Sequence, residues 1–329
     1  MKYTLILSLM LLPILATAQV KQQNMNNSTN NPLLCDLETG ICEIADSDVN
    51  ENSKTLKDEA QKKIKIIYYT DPICSSCWGI EPQLRKLKLE YGKNIEVEYR
   101  MGGLLPDWSY NRGGISKPSD VAHHWDEVSE YYDMPIDGDI WFEDPLNSSY
   151  PPSIAFKAAE LQSKEKALLF LREIREMVFL QKKNIAKWEN ISLAAQKVGL
   201  DVHRLQEDYE GKAKTLFSED LQLGRKLGVR GFPTMYFVDS EGKYETIYGS
   251  KPFGVYEQTL KKLQPKVEKN QINKNWNNLF TQYQTLTSRE FAELSGMPRN
   301  ETDAYLQKLV ENGELTQIAS KNGSLWKKK

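Results

Sequence analysis

Residues 64–77 read Ile-Lys-Ile-Ile-Tyr-Tyr-Thr-Asp-Pro-Ile-Cys-Ser-Ser-Cys, and this stretch constrains the fold more than any other. Ile64 to Tyr69 is a short β-branched and aromatic run that suits a buried strand. Thr70-Asp71-Pro72 breaks it. From Cys77 a helix follows, because Ile80, Leu84, Leu87 and Tyr91 fall on one face, and Gly92 ends it. A Cys-x-x-Cys pair that leaves a buried strand and opens a helix is a redox signal. Cys74 would sit at the helix start, where unpaired N–H groups and the macrodipole favour an anion. Such sites hold a thiol pKa of roughly 3.5–7.5, and the thiolate is the attacking species in disulfide exchange. Cys77, one turn further in, would attack the mixed disulfide and release the substrate. Cys74 is expected to be exposed and Cys77 buried. Pro82, five residues past Cys77, is expected to kink the helix and leave a carbonyl unpaired.

A zinc site is the competing reading of the same pair. It needs two more ligands, from Cys35 and Cys42 or from His123 and His124. The first spacing is wide for a zinc knuckle, and adjacent histidines point in different directions. No metal and no cofactor is expected.

The remaining order is β-α-β, a long helical insertion, then β-β-α. Ile95, Val97, Tyr99 and Met101 alternate as a second strand. Residues 102–150 read as loop-rich, and 153–227 as largely helical, with Gly199 a C-cap. Thr234 to Val238 is a strand inside Gly-Phe-Pro-Thr-Met-Tyr-Phe-Val. Asp239-Ser-Glu-Gly242 turns it, and Lys243 to Tyr248 returns as a hairpin partner. Val255 to Leu263 is a helix. A polar linker, 265–275, leads to a tail at 276–329 that reads as helix, helix, turn, helix and hairpin.

The strand–Asp-Pro-x-Cys-x-x-Cys-Trp opening, the offset to Pro82 and the phrase Gly-Val-Arg-Gly-Phe-Pro-Thr resemble the thioredoxin superfamily. The helical insertion, about 102–227, resembles its DsbA branch, and most closely the FrnE-like subgroup. The resemblance covers 63–264 and implies an α/β thioredoxin fold, with the tail as a small winged-helix-like domain. It also implies that Phe232-Pro233 is cis and packs beside the cysteines. Pro233 and Thr234 would then leave an edge on which an extended substrate can pair. Trp78 is expected to cover the site. One departure is Ser75-Ser76, neutral residues where such oxidases often carry a histidine. Oxidase, isomerase and reductase differ only in potential and partner, and the sequence does not rank them.

Cys35 and Cys42 lie in a polar segment, 19–62, that reads as a tether with a turn at Gly40. Either they form a local disulfide clip, or they are a second redox pair exchanging with Cys74 and Cys77, or they are free or metal-bound thiols. His123 and His124 read as surface or packing residues. Trp108, Tyr110, Trp141 and Tyr150 read as packing or as the lining of a peptide groove.

The start, MKYTLILSLMLLPILATA, carries Lys2, an apolar run of about 11 residues and a small-x-small site at Ala16-Thr17-Ala18, the pattern of a cleaved secretory signal over 1–18. The run is short for a bilayer span, so no stable membrane insertion is expected after cleavage, and a periplasmic or secreted location is. At 329 residues, with 40% hydrophobic and 27% charged, the chain is long and apolar enough for two packed domains, which excludes wholesale disorder. A balance of 43 basic and 45 acidic residues gives no field that would draw nucleic acid. The tail from Asn275 holds 7 basic and 6 acidic residues. Its second helix carries Glu301, Asp303 and Glu311 where a DNA reader needs donors. The expected function is a secreted thiol-disulfide oxidoreductase acting on cysteine-containing proteins and recycled by an unidentified redox partner. The alternative is a DsbA-like protein-binding adaptor or chaperone with little redox turnover.

Overall fold

The computed structural model describes residues 35–36, 40–43, 63–109 and 117–329. The expected signal at 1–18 and Tyr110 lie outside them. In chain order the elements are β1 (Cys35–Asp36), β2 (Ile41–Glu43), β3 (Ile64–Thr70), α1 (Ser75–Gly79), α2 (Glu81–Tyr91), β4 (Ile95–Met101), α3 (Ser119–Tyr132) and α4 (Ile140–Glu143). There follow α5 (Tyr150–Gln162), α6 (Lys164–Leu180), α7 (Trp188–Lys197), α8 (Val202–Glu210), α9 (Lys212–Lys226), β5 (Gly231–Phe232), β6 (Thr234–Val238), β7 (Tyr244–Tyr248) and α10 (Phe253–Leu263). The tail supplies α11 (Trp276–Gln282), β8 (Thr285–Thr287), α12 (Ser288–Ser295), α13 (Arg299–Glu311), β9 (Leu315–Ser320) and β10 (Gly323–Lys328).

The central sheet runs β4-β3-β6-β7. β3 and β4 are parallel, with α1 and α2 crossing between them, and β6 and β7 are antiparallel additions. This is the thioredoxin arrangement. β3 is buried along almost its whole length, as a strand covered on both faces must be. α3 to α9 form the helical insertion of the DsbA-like pattern between β4 and β5.

Three local readings change. The helix after the cysteines is two pieces: α1 stops at Ile80, and α2 starts at Glu81 with Pro82 in its first turn. Proline there lacks only an N–H that has no helical partner anyway, so it starts a helix rather than kinking one. Residues 102–150 hold two helices, α3 and α4. α3 buries Val121, Trp125 and Val128 on one face, a spacing that the surrounding Gly, Pro and Asp residues masked. The segment 265–275 is strapped down. Glu90 accepts from Lys269 (2.9 Å) and Lys274 (2.8 Å), and the Asn270 amide donates to Glu90 O at 2.7 Å.

In the tail, α12 and α13 pack on the β8-β10-β9 sheet, a winged-helix-like arrangement. Thr287 and Glu290 close a capping box at the start of α12. The apolar interior of the tail includes Leu279, Leu286, Phe291, Leu306 and Trp326, and Leu89 of α2 belongs to the same cluster. The wing tip docks onto the insertion: Lys321 Nζ reaches Asp126 (2.7 Å) and Asp139 (2.8 Å), and Asn322 donates to Ile136 O at 2.8 Å.

Candidate functional site

β3 delivers the chain to a buried turn built on Asp71. Its Oδ1 accepts from the Ile73 amide (3.0 Å), and its Oδ2 accepts from the Leu104 amide (2.8 Å) and the Ser149 hydroxyl (2.9 Å). Burial pushes the Asp71 carboxyl up to about 6, against the pull of those donors. Its backbone carbonyl accepts from the Cys74 amide at 3.2 Å. Arg175, 1% exposed, reaches in from α6, donating to Glu81 Oε1 and to Thr70 Oγ1, each at 2.6 Å. The sequence reading missed both charges. Asp71 was visible only as a strand breaker, and Arg175 lies 104 residues away along the chain.

Cys74 is the N-cap of α1 in extended backbone (φ −72°, ψ 105°), and its Sγ accepts from the Cys77 amide at 3.1 Å. Cys74 and Cys77 are joined as a disulfide with their Cα atoms 5.2 Å apart. The expected asymmetry of exposure is absent, since both cysteines are 0% exposed. Ser75 and Ser76 are buried with them, and Tyr132 of α3 donates to Ser76 Oγ at 3.2 Å. Gly79 admits the Tyr132 ring, because a Cβ there would overlap it.

Trp78 does not cover the site. It is 0% exposed in the core, stacks on Phe179 at 5.5 Å between ring centroids, and lies under the Arg172 guanidinium at 4.4 Å. Its indole N–H donates to Pro135 O at 3.0 Å. The insertion offers indole both an apolar slot and an acceptor, so the side chain turns inward.

Phe232-Pro233 is cis. Phe232 is buried, its ring lying where a Cβ on Gly102 would be. Thr234 Oγ1 donates to Gly231 O at 2.6 Å, and Thr234 pairs with Tyr69 of β3, which sets Pro233 at the end of the sheet from which Cys74 departs. The edge expected to be open is taken. β2 pairs antiparallel with β5, placing Cys42 opposite Phe232 and Glu43 opposite Gly231. β1 continues the sheet with Cys35 opposite Cys42.

The other named aromatics and histidines pack. Trp125 and Trp141 meet edge-on at 5.1 Å, Trp108 and Trp141 at 6.0 Å, and Tyr150 meets Phe217 at 4.9 Å. His123 lies edge-on to Phe142. His124 is buried, which pushes its pKa down to about 4. Among the described residues no cluster of three or more His, Cys, Asp or Glu is placed to hold a metal ion, and no helix is long and apolar enough to cross a membrane.

The family model described as Thioredoxin matches residues 68–258. The ClpXP adapter protein SpxH of Halalkalibacterium halodurans is 36% identical over 310 residues, which is 92% of this chain and 97% of that protein. SpxH of Bacillus subtilis is 28% identical over 273 residues, 81% of this chain and 90% of that protein. A solved structure from Nitrosomonas europaea, provisionally named a protein disulfide isomerase, shares the fold with a TM-score of 0.50 at 22% identity, covering 62% of this chain and 96% of that one. The chain belongs to the thioredoxin family, with the SpxH proteins as relatives along most of its length.

Proposed function

We propose that this chain is a protein-binding adaptor that keeps a redox-competent cysteine pair. The observation that carries this reading is the extent of the likeness to a relative named an adapter, 97% of whose length is matched by 92% of this chain. Two features support it. The cysteine pair is inaccessible, and its neighbouring edge is already strand-paired. The partner is proposed by class, as a protein. The leader over 1–18 is proposed to export the chain, which N-terminal sequencing of the mature protein tests by a start at Gln19.

The second reading is a thiol-disulfide oxidoreductase acting on protein cysteines. The placement of Cys74 at the N-cap of α1, its sulfur accepting the Cys77 amide, favours it. Turnover separates the two. Insulin reduction and oxidation of a reduced protein are measured for wild type and Cys74→Ser, alongside capture of partner proteins. The adaptor reading expects both variants to capture partners and wild-type turnover to stay near the Cys74→Ser background. Rapid wild-type turnover that vanishes in Cys74→Ser would reverse the order of the two readings.

A further inference from the structure

All four cysteines of the chain converge on one corner of the fold. An extended peptide can bind a domain by adding a strand to an exposed sheet edge. Here the chain's own β2 holds that position, with Cys42 opposite the residue that precedes Pro233. The turn before β2 is anchored too. Ser250 donates its amide to Gly40 O at 3.1 Å. Gly40 is buried with φ +67°, and a Cβ on it would run into Ser250 and Tyr132, so the docked turn requires glycine. Cα atoms of β2 and α1 come within 8 Å of each other.

We propose that the β1–β2 hairpin is an intramolecular substrate of the Cys74–Cys77 disulfide: it occupies the substrate edge and exchanges oxidation state with that pair through Cys42. This inference rests on the redox competence of Cys74 and Cys77. Starting from a Cys35/Cys42 dithiol, the Cys42 thiolate attacks the Cys74 sulfur. A Cys42–Cys74 bond forms, the Cys74–Cys77 bond breaks, and Cys77 leaves as the thiolate. The Cys35 thiolate then attacks the Cys42 sulfur, closes Cys35–Cys42 and expels Cys74. Two electrons pass from the hairpin to the Cys-x-x-Cys pair. The protons lost by Cys35 and Cys42 are matched by those taken up at Cys77 and Cys74. Cys35 and Cys42 are directly opposed in an antiparallel pair, which sets their Cα atoms about 4.5–5.5 Å apart, inside the roughly 4.4–6.8 Å that the closing disulfide spans. The step is intramolecular, so its rate is set by docking of β2 and not by dilution. A protein substrate must displace β2 to reach the same edge.

The test uses the full mature chain. In Cys35→Ser/Cys77→Ser only Cys42 and Cys74 remain, and glutathione disulfide is the oxidant. The expected product is a monomer carrying a Cys42–Cys74 link in peptide mass maps, formed at a rate independent of protein concentration. A glutathione adduct on Cys74, or an interchain dimer, with no internal link overturns the proposal. The premise is read separately: a wild-type Cys74–Cys77 bond that dithiothreitol cannot reduce in the folded chain sinks redox competence itself. Ile41→Pro leaves every cysteine in place and removes a strand N–H. It should speed reduction of Cys74–Cys77 by dithiothreitol on the order of tenfold, the factor that loss of one or two net backbone hydrogen bonds gives. An unchanged rate overturns the occlusion.

Discussion

Asp71 carries a carboxylate where water cannot reach it, and three donors hold it in place of water. Ser149 is both a donor to Asp71 and the acceptor for the Leu105 amide, at 3.1 Å. Ser149→Ala should therefore raise the Asp71 pKa above about 6 and cost about 1–3 kcal/mol, read by carboxyl NMR titration and urea unfolding. Asp71 and His124 act on pH stability in opposite directions. The raised Asp71 pKa means the folded chain binds more protons between about 4 and 6, so this residue removes stability as pH rises through that window. The depressed His124 pKa means the unfolded chain binds more protons between about 6.5 and 4, so this residue removes stability as pH falls. Wild type alone would mask the second effect. The comparison with His124→Gln exposes it: wild type should lose about 3 kcal/mol relative to the variant between pH 6.5 and 4. Equal slopes in urea titrations at pH 7, 5.5 and 4 would refute this. Under the oxidoreductase reading, Cys35→Ser/Cys42→Ser/Cys77→Ser, which lacks the hairpin thiols, should trap mixed disulfides between Cys74 and protein thiols, whereas Cys35→Ser/Cys42→Ser/Cys74→Ser should not. Equal trapping by both, in non-reducing gels, would contradict the assigned roles.

At the level of elements, most of the thioredoxin half was legible. β3, β4, β6 and β7 declared themselves by β-branched runs and alternation, and the 239–242 turn by its Asp and Gly. What stayed hidden was of two kinds. α3 carried a readable face, but glycines, prolines and aspartates around it outweighed Val121, Trp125 and Val128. The β2–β5 pairing was invisible for a stronger reason: the two strands span three and two residues and lie nearly 190 residues apart, so neither has a pattern of its own. Trp78 was misplaced because its partners, Phe179 and Pro135, come from the insertion. The start of α12 was the reverse case, its cap written in four consecutive residues. Thr287→Ala should cost about 1 kcal/mol, up to about 2 for a side chain buried as this one is, by thermal or urea unfolding. No change would assign the stability of α12 to packing alone.

Across the whole molecule, the tail is joined to the thioredoxin half by buried charge as well as apolar contact. Glu290 of α12 accepts from Arg172 at 2.8 and 3.0 Å and faces Arg85 at 3.3 Å. Arg85 also donates to Thr285 O at 2.8 Å, and Arg172 pairs with Glu176 at 2.6 Å. Burial alone would raise the Glu290 pKa, but the two arginines hold it below the usual carboxylate range. Its contribution is present above an unfolded value of about 4.5 and is lost only as pH falls through the lower folded value. Glu290→Gln should cost about 3–5 kcal/mol at neutral pH, because it leaves buried guanidinium groups short of a counter-charge. Calorimetry should show one transition at lower temperature. A wild-type melt that already splits in two would mean the halves fold independently.

Glu290 also accepts from the Thr287 amide at 2.7 Å, so one carboxylate both starts its own helix and neutralises two guanidinium groups of another domain. A graft cut at the linker would carry the helix start away and strand the arginines. For anyone recombining such chains, the unit of exchange is not the tail from residue 276 but the tail together with the faces of α2 and α6 beneath it. The seam visible in the amino-acid order is not the seam along which the molecule comes apart.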